Sequence, residues 1–202
     1  ILFDPGLAGQ AITLGSQLVI DSSVVIDGTD PGGIIINGVD STRLFNVTSA
    51  GNLTLRGLTL ANGNAGSSNG GAVDNRGTLL AERCTFVGNA ATRGGAVYSS
   101  TSNANSALPL TSSTTLRQCT FTDNTATNDG GAVLNLNGQT TLEHCTVNDS
   151  SASAGGGGGL SSWADGATNT TIQNSIVSGN TGDDVVKAGG DGDAITSLGG
   201  NL

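Results

Sequence analysis

Gly70-Gly71-Ala72-Val73-Asp74-Asn75 is followed by Gly77-Thr78-Leu79-Leu80-Ala81 and then by Cys84-Thr85-Phe86, and this order of short runs returns three more times. Gly94-Gly95-Ala96-Val97 leads to Thr115-Leu116 and Cys119-Thr120-Phe121. Gly130-Gly131-Ala132-Val133-Leu134-Asn135 leads to Thr141-Leu142 and Cys145-Thr146-Val147; Gly157-Gly158-Gly159-Leu160 leads to Thr171-Ile172 and Ser175-Ile176-Val177. The starting positions, 70, 94, 130 and 157, lie 24, 36 and 27 residues apart. A repeat of this length built from short β-type runs is the signature of a solenoid, in which each unit buries its apolar face only by stacking on the next.

Leu53-Thr54-Leu55-Arg56-Gly57-Leu58-Thr59-Leu60 shows the pattern inside one unit. Apolar residues alternate at 53, 55, 58 and 60, and the alternation breaks once, at Arg56-Gly57. Alternation marks a half-buried strand, and the break supplies the two residues that a corner between strands requires. Leu79, Ala81, Cys84 and Phe86 fit the same template, as do Thr114, Leu116, Cys119 and Phe121, then Thr140, Leu142, Cys145 and Val147, then Thr170, Ile172, Ser175 and Val177. Constant offsets predict that equivalent strands lie in register. Each coil is expected to hold three strands: the Gly-Gly-Ala-Val run, the Thr-Leu run and the Cys-Thr-Phe run. Connections this short wind in one sense, so each strand pairs in parallel with its equivalent about 4.8 Å above, and about seven coils make a rod roughly 30–35 Å long. Parallel crossovers favour a right-handed winding. The fold class expected is therefore all-β, a right-handed parallel β-helix.

The composition agrees. The 202 residues include 33 Gly, no Met and only 3% aromatics, which suits thin stacked layers better than an ordinary globular core. With 11% charged residues the chain is not a polyelectrolyte-like disordered one. A net charge of −9, with Lys187 the single lysine and no basic stripe, argues against nucleic acid. No apolar run approaches the roughly 20 residues that span a bilayer. The chain starts at Ile1 and shows no signal-peptide pattern, which reads as a mature fragment or an excised domain. Residues 1–11 read as a lead-in or cap with a turn at Asp4-Pro5 and a short helix around Gly6–Gln10, residues 12–180 as the coils, and residues 181–202 as an irregular last coil, all in one domain. Open ends allow end-to-end association through uncapped coils.

These residues resemble a known group. The run ITLGSQLVIDSSVVIDGTDPGGIIINGVDSTRLFNV from Ile12, LTLRGLTLANGNA from Leu53, and the GGAV, GTL and CTF units that follow are similar to bacterial right-handed parallel β-helix repeat proteins. That group includes the polymorphic-outer-membrane-protein-like and pectate-lyase-like surface repeat proteins. The resemblance implies a secreted or cell-surface location in a bacterium. It leaves activity open, because such proteins include adhesin-like stalks, autotransporter passengers and sugar lyases, and a fold does not carry its chemistry with it.

Candidate sites are few. Cys84, Cys119 and Cys145 occupy one repeat position and read as a buried thiol ladder with Leu58 below and Ser175 above. A metal cluster would want convergent ligands, and alternation sends neighbouring His144 to a corner. Asn89, Asn124 and Asn180, and separately Asn75 and Asn135 with Ser99 and Ser162, read as stacked corner amides. Thr59, Thr85, Thr120 and Thr146 form an outward file beside the irregular rank Ala61, Val87, Thr122 and Asn148. Glu82, Arg117 and Glu143 form an alternating surface charge stack. Asp74 stands alone on its strand, and no acid trio falls at matched offsets. Tyr98 and Trp163, the only Tyr and Trp, fall near the corner that carries the insertion Ser99–Ser113; they either stack on sugar or cover an apolar edge. Asp183, Asp184, Asp191 and Asp193 are candidate Ca²⁺ ligands, against a solvated acidic turn as the alternative.

Three functions compete. The leading expectation is a non-catalytic surface module, adhesin-like or carbohydrate-binding, whose partner is a polysaccharide or another cell surface. The alternative is a polysaccharide lyase or glycoside hydrolase of the pectate-lyase-like kind, which needs facing carboxylates or a basic residue beside Ca²⁺. Ice binding through the threonine file is third.

Overall fold

The computed structural model describes residues 1–30, 32–101, 112–153, 156–164, 168–189 and 193–202. Three seven-stranded sheets, all parallel, run along one axis as a β-solenoid of about 6 turns. Sheet I takes the Cys-Thr-Phe runs: Ala11–Thr13, Ile34–Asn37, Leu58–Ala61, Thr85–Val87, Thr120–Thr122, Thr146–Val147 and Ile176–Val177. Sheet II takes Leu18–Ile20, Phe45–Val47, Val73–Asn75, Val97–Ser100, Val133–Leu136, Gly157–Ala164 and Asp183–Gly189. Sheet III takes Ser23–Asp27, Asn52–Arg56, Thr78–Glu82, Ser113–Arg117, Gln139–Glu143, Thr168–Gln173 and Asp193–Ser197.

Register follows the repeat. Leu55, Ala81, Leu116, Leu142 and Ile172 pair level by level and form one interior file. Phe45, Val73, Val97, Val133 and Leu160 form another. Leu60, Phe86, Phe121, Val147 and Val177 form a third, and all three files belong to a single core. Each layer is thin, so burial comes from the layers above and below rather than from bulk within one layer.

The corners are built from left-handed residues. Gly57, Arg83, Gln118, His144 and Asn174 take φ between 49° and 58°, one above another between sheets III and I. The Arg56-Gly57 break in alternation is this corner. Where sheet I ends, Asn62, Gly88, Asp123, Asp149 and Gly179 repeat the device with φ from 50° to 73°.

The Gly-Gly pairs differ from expectation: in three of the four repeats they are corner rather than strand. The strands begin at Val73, Val97 and Val133, whereas only the fourth starts at Gly157. The first glycine of each of those three pairs, Gly70, Gly94 and Gly130, is left-handed, with φ from 59° to 64°. The second has no room for a side chain. A Cβ on Gly71, Gly95 or Gly131 would stand 2.0–2.3 Å from the carbonyl of Gly95, Gly131 or Gly158 one level up.

Three further differences stand out. A fourth, three-stranded sheet of Ala90–Arg93, Thr125–Asp129 and Ser151–Ala152 lies between sheets I and II, where the longer connections of consecutive coils pair with each other. The lead-in helix is a single 3₁₀ turn, Pro5–Leu7, with Asp4 as its N-cap. Asp27 N donates to Ile1 O at 3.0 Å, so the first residues run along the edge strand Ser23–Asp27. Finally, the described part of residues 181–202 continues sheets II and III. Asp183–Gly189 and Asp193–Ser197 are full rungs, the second in register with Thr168–Gln173 throughout. They lack the Gly-Gly and Cys signals; backbone pairing, Ile195 packed on the core, and Asn201, whose Oδ1 accepts from Ser175 N at 2.9 Å, carry the pattern on. The insertion between Ser100 and Ser112 falls almost wholly on residues 102–111, outside the described residues.

Candidate functional site

The two aromatic candidates do not form a platform. Tyr98 pairs with Asp74 below and Leu134 above. Trp163 lies two levels higher, over Leu136, two residues further along the sheet. Tyr98 is 4% exposed, so its ring is covered and offers no free face for stacking on a sugar, which leaves it the other of its two readings. Trp163 is half-buried.

The acidic candidates separate as well. Asp184 Oδ1 accepts from Asn180 N at 3.0 Å and from Asn180 Nδ2 at 2.8 Å, which spends that oxygen inside the fold. Asp183 is exposed at the start of its strand. Asp191 and the side chain of Asp193 lie outside the described residues. Among the described residues no group of three His, Cys, Asp or Glu converges as ligands for a metal ion.

The three thiols stack as a ladder. Cys84, Cys119 and Cys145 are free and buried, and their strands pair in register. Cys119 Sγ lies 3.4 Å from Ala81 O, and Cys145 Sγ lies 3.3 Å from Leu116 O. The Cys145 and Cys84 thiols on either side, and then burial, push the Cys119 pKa up, so it stays a thiol.

The amides are spent on backbone. Asn124 Oδ1 accepts from Asn89 N and Nδ2 at 3.1 and 3.0 Å, and Asn124 Nδ2 donates to Phe86 O at 3.0 Å. Ser150 and Asn180 continue this file upward. The second file is relayed by threonines that the repeat pattern treats as core positions. Asn75 Nδ2 donates to Thr114 Oγ1 at 2.8 Å, and Thr114 Oγ1 donates to Ser99 Oγ at 2.9 Å. Asn135, Thr170 and Ser162 repeat the arrangement two levels higher.

The charge stack is longer than the sequence pattern indicates. Asp27, Arg56, Glu82, Arg117 and Glu143 alternate up the edge of sheet III. Arg56 Nε meets Glu82 Oε2 at 2.9 Å, and Arg117 Nε meets Glu143 Oε2 at 2.9 Å. Arg117 is half exposed, so these pairs are weak. Thr59, Thr85, Thr120 and Thr146 form an unbroken file on sheet I beside Ala61, Val87 and Thr122.

Asp74 is not alone in space. Arg43 Nη2 stands 3.9 Å from its Oδ2 and Arg76 Nε stands 3.4 Å from its Oδ1, with the Asp74 side chain only 7% exposed. Arg43 also donates Nε to Gly70 O at 3.0 Å, Nη2 to Asn69 O at 2.7 Å and Nη1 to Gln17 Oε1 at 2.8 Å. Beside this anchored guanidinium, the loops at 38–43 and 64–68 flank an open polar cleft of about 490 Å³, lined among others by Gln17, Asp40, Thr42, Asn64 and Ser68. Asn64 N donates to Thr42 O at 2.9 Å and ties the loops together. Asn64 stands level with Ala90 of the next coil, but Gln17, Asp40, Thr42 and Ser68 belong to none of the repeated runs, so periodicity carries no signal for this cleft.

Residues 118–136 match the Chlamydia polymorphic membrane protein repeat. The matched segment runs from the left-handed corner at Gln118 through the Cys119 strand, Asn124 and Gly130-Gly131 to the end of the strand Val133–Leu136. No curated protein and no solved structure matches the chain. The repeat and the solenoid fit a bacterial parallel β-helix repeat protein of the polymorphic-membrane-protein type, and the repeat points to the bacterial outer surface. Among the described residues no helix is long and apolar enough to cross a membrane.

Proposed function

We propose that this chain is a non-catalytic, adhesin-like module of the bacterial exterior, a stiff rod that holds binding surfaces away from its anchor. One observation carries the reading: side chains that elsewhere do chemistry are here bonded along the rod axis. The Asn89–Asn124 file, the relay from Asn75 through Thr114 to Ser99, and the ladder from Asp27 to Glu143 each join one coil to the next. The matched surface-protein repeat supports the location. A rod stabilised through nearest-neighbour interfaces gains length without a larger core.

Beads coated with the purified chain, mixed with cultured cells and with immobilised polysaccharides, test this reading. Retention on at least one surface is expected, with no shortening of acidic polysaccharides in solution, with or without Ca²⁺. Release of unsaturated or shortened products would replace the proposal by a lyase or hydrolase.

A further inference from the structure

We infer that the cleft between residues 38–43 and 64–68 is a binding site for a short neutral oligosaccharide. The inference rests on the reading of the chain as a surface-binding module, and it names the site and the ligand class.

The walls are preorganised. Val39 N donates to Asn37 Oδ1 at 2.8 Å, and Ser41 Oγ donates to Gly38 O at 2.9 Å. Val39 and Asp40 take φ of 45° and 56°, two left-handed residues in succession. For a β-branched residue this backbone is an outlier, and strain of that kind gathers where a loop must hold one shape for a ligand. Val39 is also 49% exposed, next in the chain to Asp40, which lines the cleft. On the opposite wall, Gly66 N donates to Asn64 Oδ1 at 2.8 Å, which fixes the amide.

The unspent groups define the ligand. Among the described residues, the Asp40 carboxylate and the Asn64 Nδ2 donor have no partner, whereas the Arg43 guanidinium is bonded to Gln17, Asn69 and Gly70 and faces Asp74. A carboxylate acceptor and a fixed amide donor lining one cleft suit hydroxyls, each of which can donate to the first and accept from the second. The unpaired charge of Asp40, within a net charge of −9, disfavours a uronate or phosphate. A peptide would need apolar pockets for its side chains, and the lining is short and polar. The volume falls within the range of small-ligand sites. Binding is expected in the millimolar range for one site, with strength gained through many copies on a surface.

The test is an amide-resolved NMR titration of the whole chain with chitotriose and maltotriose, and with trigalacturonate as the anionic arm, each to about 10 mM. Shifts at residues 38–43 and 64–68 with a neutral trisaccharide are expected, unchanged in ~0.5 M NaCl. Asp40→Asn and Asn64→Asp should each weaken binding about tenfold with the remaining spectrum intact. The first keeps a residue suited to left-handed backbone; the second keeps the acceptor for Gly66 and replaces the donor by a second carboxylate. No shift in either loop with any probe, or binding of trigalacturonate alone, overturns the inference. Shifts that vanish in salt would do so too, because they report charge pairing. Shifts gathered around Trp163 instead remove the cleft while leaving the surface-module reading intact.

Discussion

The rings of Phe86 and Phe121 lie face over face, 4.5 Å between centroids and 5° from parallel. The spacing is close to the ~4.8 Å between paired strands, so the two rings report directly how one coil sits on the next. Leu60 lies below the pair and Val147 above it.

Removing one ring empties a full layer. Phe121→Ala should cost about 3–5 kcal/mol, since the ring is fully buried and rigid backbone on three sides cannot collapse into the gap. Phe121→Leu should cost about 1–2 kcal/mol. Urea unfolding measures both, and hydrogen exchange should show the loss concentrated in the adjoining coils, because the effect passes only through neighbouring interfaces.

The glycine column makes a sharper demand. A Cβ on Gly95 would meet Gly131 O at 2.1 Å, a backbone atom that moves only if the coils separate. Gly95→Ala should therefore cost about 3 kcal/mol or more. Gly15→Ala is the control: nothing lies within 4 Å of its Cβ, and the change should stay within about 1 kcal/mol. Thermal unfolding of the two variants side by side decides it. Equal stability would mean that the coils do not stack this closely.

Columns were legible in the sequence because every level repeats the same offset, so Leu55, Ala81, Leu116, Leu142 and Ile172 could be aligned before any contact was known. Alternation also located the corner at Arg83, Gln118 and His144, although neither Arg nor Gln favours a left-handed backbone. The polar relay through Thr114 and Thr170 was hidden, because alternation marks those positions as inner and says nothing of what an inner hydroxyl bonds. Arg43 was hidden for another reason. Its partners Asn69 and Gly70 lie 26 and 27 residues away, and both accept through backbone carbonyls, which no side-chain pattern marks.

The thiol ladder predicts inert cysteines. With Cys84, Cys119 and Cys145 buried and Cys119 held in its protonated form, the folded chain should resist a disulfide-type thiol reagent and react at all three positions in denaturant. Cys145→Ser should change stability by no more than about 1 kcal/mol, because Ser175 already stands at the next level and Leu116 O remains in reach as acceptor. Rapid labelling of the native chain would show the ladder to be open to solvent.

Asp27 supplies a pH-dependent test at the edge of the charge stack. Thr29 Oγ1 donates to its Oδ1 at 2.6 Å and Thr29 N does so at 3.0 Å. These two bonds, the side-chain one foremost, with Arg56 adding to them against some desolvation, hold the Asp27 carboxyl below the ordinary carboxylate value. A depressed folded pKa favours the native state while the carboxylate is ionised. The contribution is therefore complete above the unfolded value of about 3.9 and disappears as pH falls through the folded value. Thr29→Val removes the hydroxyl and keeps the backbone donor. In this variant the Asp27 carboxyl, followed by ¹³C NMR, should titrate at higher pH than in the parent. The parent should be the more stable of the two near pH 6, and the gap should close toward about pH 2. A gap of constant size across that window would assign the effect to lost packing at Thr29 rather than to its bond with the carboxylate.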